Sequence, residues 1–149
     1  WIADACTKIQ GQVTSGTCSI AQKAAKAAVS ASPEVLTDMI VSFKKRRDLV
    51  LDLLNEIPGM ITNVPEGAFY VFPDISNFFG KSFDGKTINN ASDLSLFLLD
   101  EAKVALVTGE AFGNPDCIRI SYATSETILT EAVKRIKEAL SKIYKLNYT

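Results

Sequence analysis

Apolar positions along the chain change their period partway, and the change divides the sequence into two kinds of element. From Trp1 to about Lys8 and from Ser19 to Val29 the spacing is helical, the second stretch being rich in alanine, the best helix former. Between them, Gln10-Gly11-Gln12-Val13-Thr14-Ser15-Gly16-Thr17 gathers glycines and hydroxyl side chains, turn chemistry that predicts a loop. Ser32-Pro33-Glu34 opens the clearest helix: a serine N-cap, a proline in the first helical position and an acid suited to the dipole. Its apolar residues Leu36, Met39, Ile40, Phe43, Val50, Leu51, Leu54 and Ile57 recur near a helical period, and Pro58-Gly59 stops it. Some ~24 residues at ~1.5 Å each make ~36 Å, long enough to link two structural units.

Beyond Gly59 the period shortens. Met60 to Val64 and Ala68 to Phe72 read as short strands joined by a Pro65-Glu66-Gly67 turn, an expected hairpin. Residues 76 to 90 read as a loop. A leucine-rich helix from Ser92 to Ala102, capped by Asn90 or Ser92, precedes a strand from Val104 to Val107. A glycine-bearing connector from Thr108 to Asp116 leads to the strand Cys117 to Tyr122. The last helix, from about Glu126 to Tyr144, carries Ile128, Leu129, Ala132, Val133, Ile136, Leu140 and Ile143 on one face. Residues 58 to 149 thus form an α+β layer, a small mostly antiparallel sheet covered on one face by helices. The helices of residues 1 to 31 have no sheet of their own to pack on.

Composition removes several classes of function. Hydrophobic residues are 47% and charged residues 22% of the chain, ordinary for a globular domain of 149 residues. Sixteen basic against 17 acidic residues leave no long-range field toward nucleic acid or anionic lipid, so neither partner is expected. No apolar run approaches the ~20 residues of a membrane span. Histidine is absent, which excludes Ser-His-Asp and Cys-His chemistry and imidazole metal sites. Cys6, Cys18 and Cys117, odd in number and far apart, point to reduced intracellular thiols. The chain opens at Trp1 inside a helical pattern, which leads us to expect a piece of a longer protein.

One side chain stands out as candidate chemistry. In Cys117-Ile118-Arg119-Ile120-Ser121-Tyr122 the isoleucines face one way, and Cys117, Arg119 and Ser121 the other. A mid-strand arginine must reach solvent, pair with an internal acid or await an anionic ligand, and on residue type alone the ion pair is the commoner outcome. Thr108-Gly109-Glu110-Ala111-Phe112-Gly113 fits a binding loop, but on its glycines alone a plain strand-to-strand connection is the commoner outcome. Lys44-Lys45-Arg46-Arg47 fans around a helix rather than forming one face, so it reads as solvated surface. The aromatic run Gly67 to Phe72 reads as core packing.

In order and at this spacing, Pro65-Glu66-Gly67-Ala68-Phe69-Tyr70, Val107-Thr108-Gly109-Glu110-Ala111-Phe112-Gly113 and Ile118-Arg119-Ile120-Ser121-Tyr122-Ala123-Thr124-Ser125 resemble the C-terminal third of class I aminotransferases, the fold-type I enzymes dependent on pyridoxal phosphate. The resemblance is greatest to the bacterial aspartate aminotransferase branch, which Gln12-Val13-Thr14-Ser15 and Ile20-Ala21-Gln22 also match. It implies that residues 1–31 end a large cofactor domain, 32–57 form a connecting helix and 58–149 a small domain. It further implies that Arg119 binds the substrate α-carboxylate, that Gly109 and Phe112 line the pocket, and that Thr14 and Ser15 lie near the neighbouring subunit's site in a homodimer. Nothing matches the family's S-x-x-K lysine context, so the Schiff-base lysine and other cofactor-binding residues are expected upstream. The fragment alone is then expected to be inactive and not to hold pyridoxal phosphate. The parent would be a cytoplasmic enzyme transferring an amino group, with aspartate as the preferred donor and 2-oxoglutarate as acceptor. Alternatives are another enzyme of the superfamily (an alanine or aromatic aminotransferase, or a lyase) and a non-enzymatic α+β ligand-binding module.

Overall fold

The computed structural model describes residues 1–145, with side chains described through residue 143; the last residues of the expected small domain, 146–149, lie outside the described residues. The chain divides into two compact units, Trp1–Asp38 and Met39–Thr149. Among the described residues no helix is long and apolar enough to cross a membrane.

The first unit holds α1 (Ile2–Val13) and α2 (Ser19–Ser30). Helix α1 continues through Gly11, where a loop was expected. It ends only where the Thr14 amide and hydroxyl both donate to the Gln10 carbonyl, at 2.9 and 3.1 Å, and Ser15 turns left-handed with φ 61°. A helix-interior glycine costs only about 1 kcal/mol, too little to stop a helix by itself. No residue of either helix is buried. Pro33–Leu36 forms a 3-10 turn capped by the Ser32 hydroxyl, and α3 (Thr37–Asn55) follows, so the expected single helix starts with a tighter turn. Of its apolar stripe, Leu36, Met39 and Ile40 are exposed, while Val50, Leu51 and Leu54 are buried.

In the second unit one three-stranded antiparallel sheet, ordered β1–β5–β4, carries the architecture: β1 (Tyr70–Val71), β4 (Val107–Thr108) and β5 (Ile118–Ser121). Val71 lies opposite Ile120 and Thr108 opposite Ile118 on the inner face. Tyr70 lies opposite Ser121 and Val107 opposite Arg119 on the outer face. Inner-face Val71, Ile118 and Ile120 join one core with the buried faces of α3, α4 (Ala91–Ala102) and α5 (Glu126–Lys145). The central strand therefore has one dry face and one open face, the condition for presenting side chains outward from a rigid base.

Three local expectations are corrected. The hairpin of Met60–Val64 with Ala68–Phe72 does not form: Ile61 makes a single bridge to Asp74, and Tyr70–Val71 pairs with β5 instead. Pro65 has no amide to donate, whereas pairing with β5 buries Val71 against Ile120. Within the expected loop 76–90, Phe78 is fully buried on a 3-10 turn, and β2 (Ser82–Phe83) pairs with β3 (Lys86–Thr87) around Asp84-Gly85, both residues at positive φ. That is the Asp-Gly hairpin turn whose handedness matches strand twist. The strand expected over Val104–Val107 is cut to Val107–Thr108, because the Val104 amide turns back to the Leu98 carbonyl at the end of α4. The start of α4 is capped reciprocally: Asn90 Oδ1 accepts from the Asp93 amide at 2.9 Å, and Asp93 Oδ2 from the Asn89 amide at 2.9 Å. On α5, Leu129, Val133, Ile136, Leu140 and Ile143 are buried as expected, but Ile128 is exposed.

Candidate functional site

Alternation along β5 places Arg119 on the open face of the sheet, half-buried, between two neighbouring strands. Its guanidinium carbon lies 4.3 Å from the centre of the Tyr70 ring and 4.0 Å from that of Phe112. The two rings arrive from opposite flanks, Tyr70 on β1 and Phe112 from the turn after β4. Each such stack is worth about 0.5–2 kcal/mol, rising as water is excluded. Among the described residues no carboxylate pairs with Arg119. The ion pair that is the commoner fate of a mid-strand arginine is absent here, and the in-plane N–H donors remain available. A planar fork of donors matches a carboxylate bidentately, and charged hydrogen bonds of this kind contribute about 1.5–3 kcal/mol each.

The wall bearing Phe112 depends on Gly109. This glycine is buried, its amide donates to the Cys117 carbonyl at 2.7 Å, and its carbonyl accepts from the Asn114 amide at 3.1 Å. A β-carbon there would overlap the carbonyl oxygens of Asn114 and Cys117. Only glycine lets the 3-10 turn Gly109–Phe112 lie so close to β5. Gly113, at φ 84°, ends the turn and leaves Phe112 half exposed, its ring nearly perpendicular to that of Phe72 with the ring centres 6.3 Å apart. The same close approach explains Cys117. Alternation puts it on the outer face, yet it is buried, and burial, reinforced by the Asp74 and Asp116 charges, pushes its thiol pKa up.

The opposite wall is braced from beneath. Tyr122, buried, donates its hydroxyl to the Ala68 carbonyl at 3.0 Å and its amide to the Phe69 carbonyl at 2.9 Å. Burial raises the pKa of that hydroxyl, so it stays a donor. Ala68 has φ 59°, an unusual conformation for a residue with a side chain, and these bonds hold it. Arg47 donates to the Pro65 carbonyl at 3.2 Å and pairs with Asp48 at 2.7 Å. The basic run is thus only partly solvated surface: Lys44 and Lys45 are exposed, while Arg47 ties the loop to α3. The Phe69 ring sits 4.4 Å from that of Tyr70.

The structure therefore brings Arg119, Phe112 and Gly109 together. Thr14 and Ser15 end α1 in the other unit, exposed, with the Thr14 hydroxyl engaged by its own helix. Tyr70 was missed as a functional candidate, because an aromatic run reads as core. Its register with Ser121 places it two positions diagonally from Arg119, a signal visible only once the strand partner is known.

Residues 1–136 match the family profile for aminotransferase class I and II, and the chain belongs to that family. The relatives it matches include aspartate aminotransferases and aspartate/prephenate aminotransferases. A bifunctional aspartate aminotransferase and glutamate/aspartate-prephenate aminotransferase of Petunia hybrida is 50% identical over 143 residues, covering 93% of this chain and 30% of that protein. The crystal structure of the aspartate aminotransferase from Rhizobium meliloti superposes with a TM-score of 0.88 at 42% identity, over 94% of this chain and 35% of that one. The aromatic aminotransferase from Pyrococcus horikoshii gives 0.82 at 34% identity, over 98% and 37%. The chain spans about a third of the length of these relatives.

The family implies pyridoxal phosphate, and the described residues do not fit it. No described lysine is buried, the setting in which desolvation lowers a lysine pKa toward that of a Schiff-base nucleophile. The cavity beside α4, about 300 Å³, is lined by Asp84, Asp93, Asp100 and Glu101 against Lys86, the wrong sign for a phosphate.

Proposed function

We propose that this chain is the C-terminal part of an aminotransferase that takes aspartate as amino donor and 2-oxoglutarate as acceptor, and that Arg119 holds the substrate α-carboxylate. The observation that carries this reading is a guanidinium flanked by two aromatic rings, on the open face of a sheet, with no acid partner among the described residues. An arginine so placed has donors to spare and a fixed base, which is what orienting a substrate requires. Phe112 lines the same pocket, and Gly109 shapes it by admitting the turn. The names of the relatives support aspartate as donor.

In this reading residues 1–31 close the large domain, 32–57 connect it to the small domain of 58–149, and Thr14 and Ser15 lie near the neighbouring subunit's site in a homodimer. Pyridoxal phosphate, which carries the amino group between donor and acceptor, is bound by residues outside this chain. The 149-residue chain alone neither retains the cofactor nor transfers amino groups. The absence of a buried lysine among the described residues and the acidic lining of the cavity support both statements. The free thiols Cys6, Cys18 and Cys117 suit the cytoplasm.

The test uses the full-length protein loaded with pyridoxal phosphate, its visible absorption being recorded before and after addition of aspartate. Conversion of the band by aspartate is the expected result. The likeness to the Pyrococcus horikoshii enzyme makes phenylalanine the informative second donor: a band converted by phenylalanine alone moves the donor to the aromatic class. A protein that takes up no cofactor is instead a ligand-binding module.

A further inference from the structure

We propose that Tyr70 is a positioning residue for Arg119, acting with Phe112 as two jaws that fix the plane of the guanidinium for an incoming carboxylate. The proposal rests on the reading of Arg119 given above and adds what makes that arginine competent. An arginine side chain has four rotatable bonds, and its five donors lie in one plane. A carboxylate meets two of them together only when it approaches within that plane. Without an acid partner among the described residues, no carboxylate holds the plane in advance. The rings of Tyr70 and Phe112, at 4.3 and 4.0 Å, are positioned to do so. Two ring centres this close to the guanidinium carbon restrict its rotation, and no hydrogen bond among the described residues engages its donors.

The jaws differ in rigidity. Tyr70 is laddered to β5 opposite Ser121 and backed by the Phe69 ring at 4.4 Å. The residues just before it are pinned by Tyr122 and Arg47 through the Ala68 and Pro65 carbonyls. Phe112 stands on a 3-10 turn between two glycines and is 47% exposed. Tyr70 is therefore the fixed jaw and Phe112 the adjustable one. Tyr122 and Arg47 act one step further back, by holding the strand that carries Tyr70.

The experiment uses the full-length enzyme and reads both catalysis and plain binding. Tyr70→Leu and Phe112→Leu each raise KM for aspartate about tenfold, a change of about 1.4 kcal/mol, and move kcat by less than about threefold. They weaken succinate, a dicarboxylate measured by calorimetry, by a similar factor. Tyr70→Phe keeps the ring and recovers most of what Tyr70→Leu loses. A general packing role would instead lower kcat and the unfolding midpoint while leaving succinate affinity alone, and that result overturns the proposal. Should Tyr70→Leu fail to fold, the exposed Phe112 carries the test. Arg119→Lys separates the two levels: if it raises KM and the ring variants do not, the clamp is wrong and the carboxylate site stands. If Arg119→Lys leaves KM unchanged, the underlying reading fails with it.

Discussion

Helices α1 and α2 share their amphipathic pattern with α4 and α5, yet the two pairs end in opposite states. Ile9, Val13, Ile20 and Val29 stay exposed in the first unit, whereas Leu94, Leu98, Ile136 and Leu140 lose essentially all contact with water in the second. Periodicity specifies which face of a helix is apolar; it does not supply the partner that covers it. Burying one such side chain contributes about 1.5–3 kcal/mol, and α1 and α2 obtain none of this among the described residues. Helices of 12 residues without it are marginal in water. The second unit, by contrast, closes a core around β5 and can hold Arg119 rigidly on the opposite face.

The comparison sharpens first through truncation. In the 149-residue chain, Phe78→Ala in the core is expected to cost about 3–5 kcal/mol in denaturant unfolding, while Ile9→Ala stays within about 0.5 kcal/mol. Equal losses would mean that α1 belongs to the same cooperative unit. Next in size is Gly109→Ala, which forces a β-carbon into backbone carbonyls that cannot move aside cheaply. A loss of about 1–3 kcal/mol is expected, together with displacement of Phe112 visible as a change in its ring NMR signals. An unchanged midpoint would show that the turn can lift off β5. The mildest probe is thiol labelling of the 149-residue chain at neutral pH. Backbone N–H groups of Ala21 and Ile20 lower the pKa of exposed Cys18, and burial raises that of Cys117. The thiolate is the reactive form, so Cys18 is more ionised at a given pH and should label well before Cys117. Equal rates would place Cys117 in an open segment.

The same contrast explains what could be read in advance. The face of β5 was legible, because Ile118 and Ile120 bracket Arg119 at strand spacing and the core takes both. So was the cap of α4, since Asn90 acts through residues three positions away. Partners distant in sequence were not. Met60–Val64 looked like the mate of Ala68–Phe72, but the mate of Tyr70–Val71 lies some fifty residues on, and local spacing carries no record of that choice. Cys117 is buried by a turn folded against its own carbonyl, which alternation along one strand cannot anticipate. The Asp84-Gly85 hairpin carries a local signal, but the glycines and asparagines around it read as a loop throughout. Tyr70 was hidden for a related reason: its function depends on which strand lies beside it. Arg119 shows the reverse case, where sequence left ion pair and ligand site open and the geometry removed the acid.

The central claim is that Arg119 is kept free of acids so that it can take a substrate carboxylate. Its most direct test is Arg119→Lys in the full-length protein, which keeps the charge and removes the planar fork. The account predicts that KM for aspartate rises about tenfold or more while the unfolding midpoint stays within a few degrees. An unchanged KM, or a protein that unfolds instead, would make Arg119 a structural residue and contradict it.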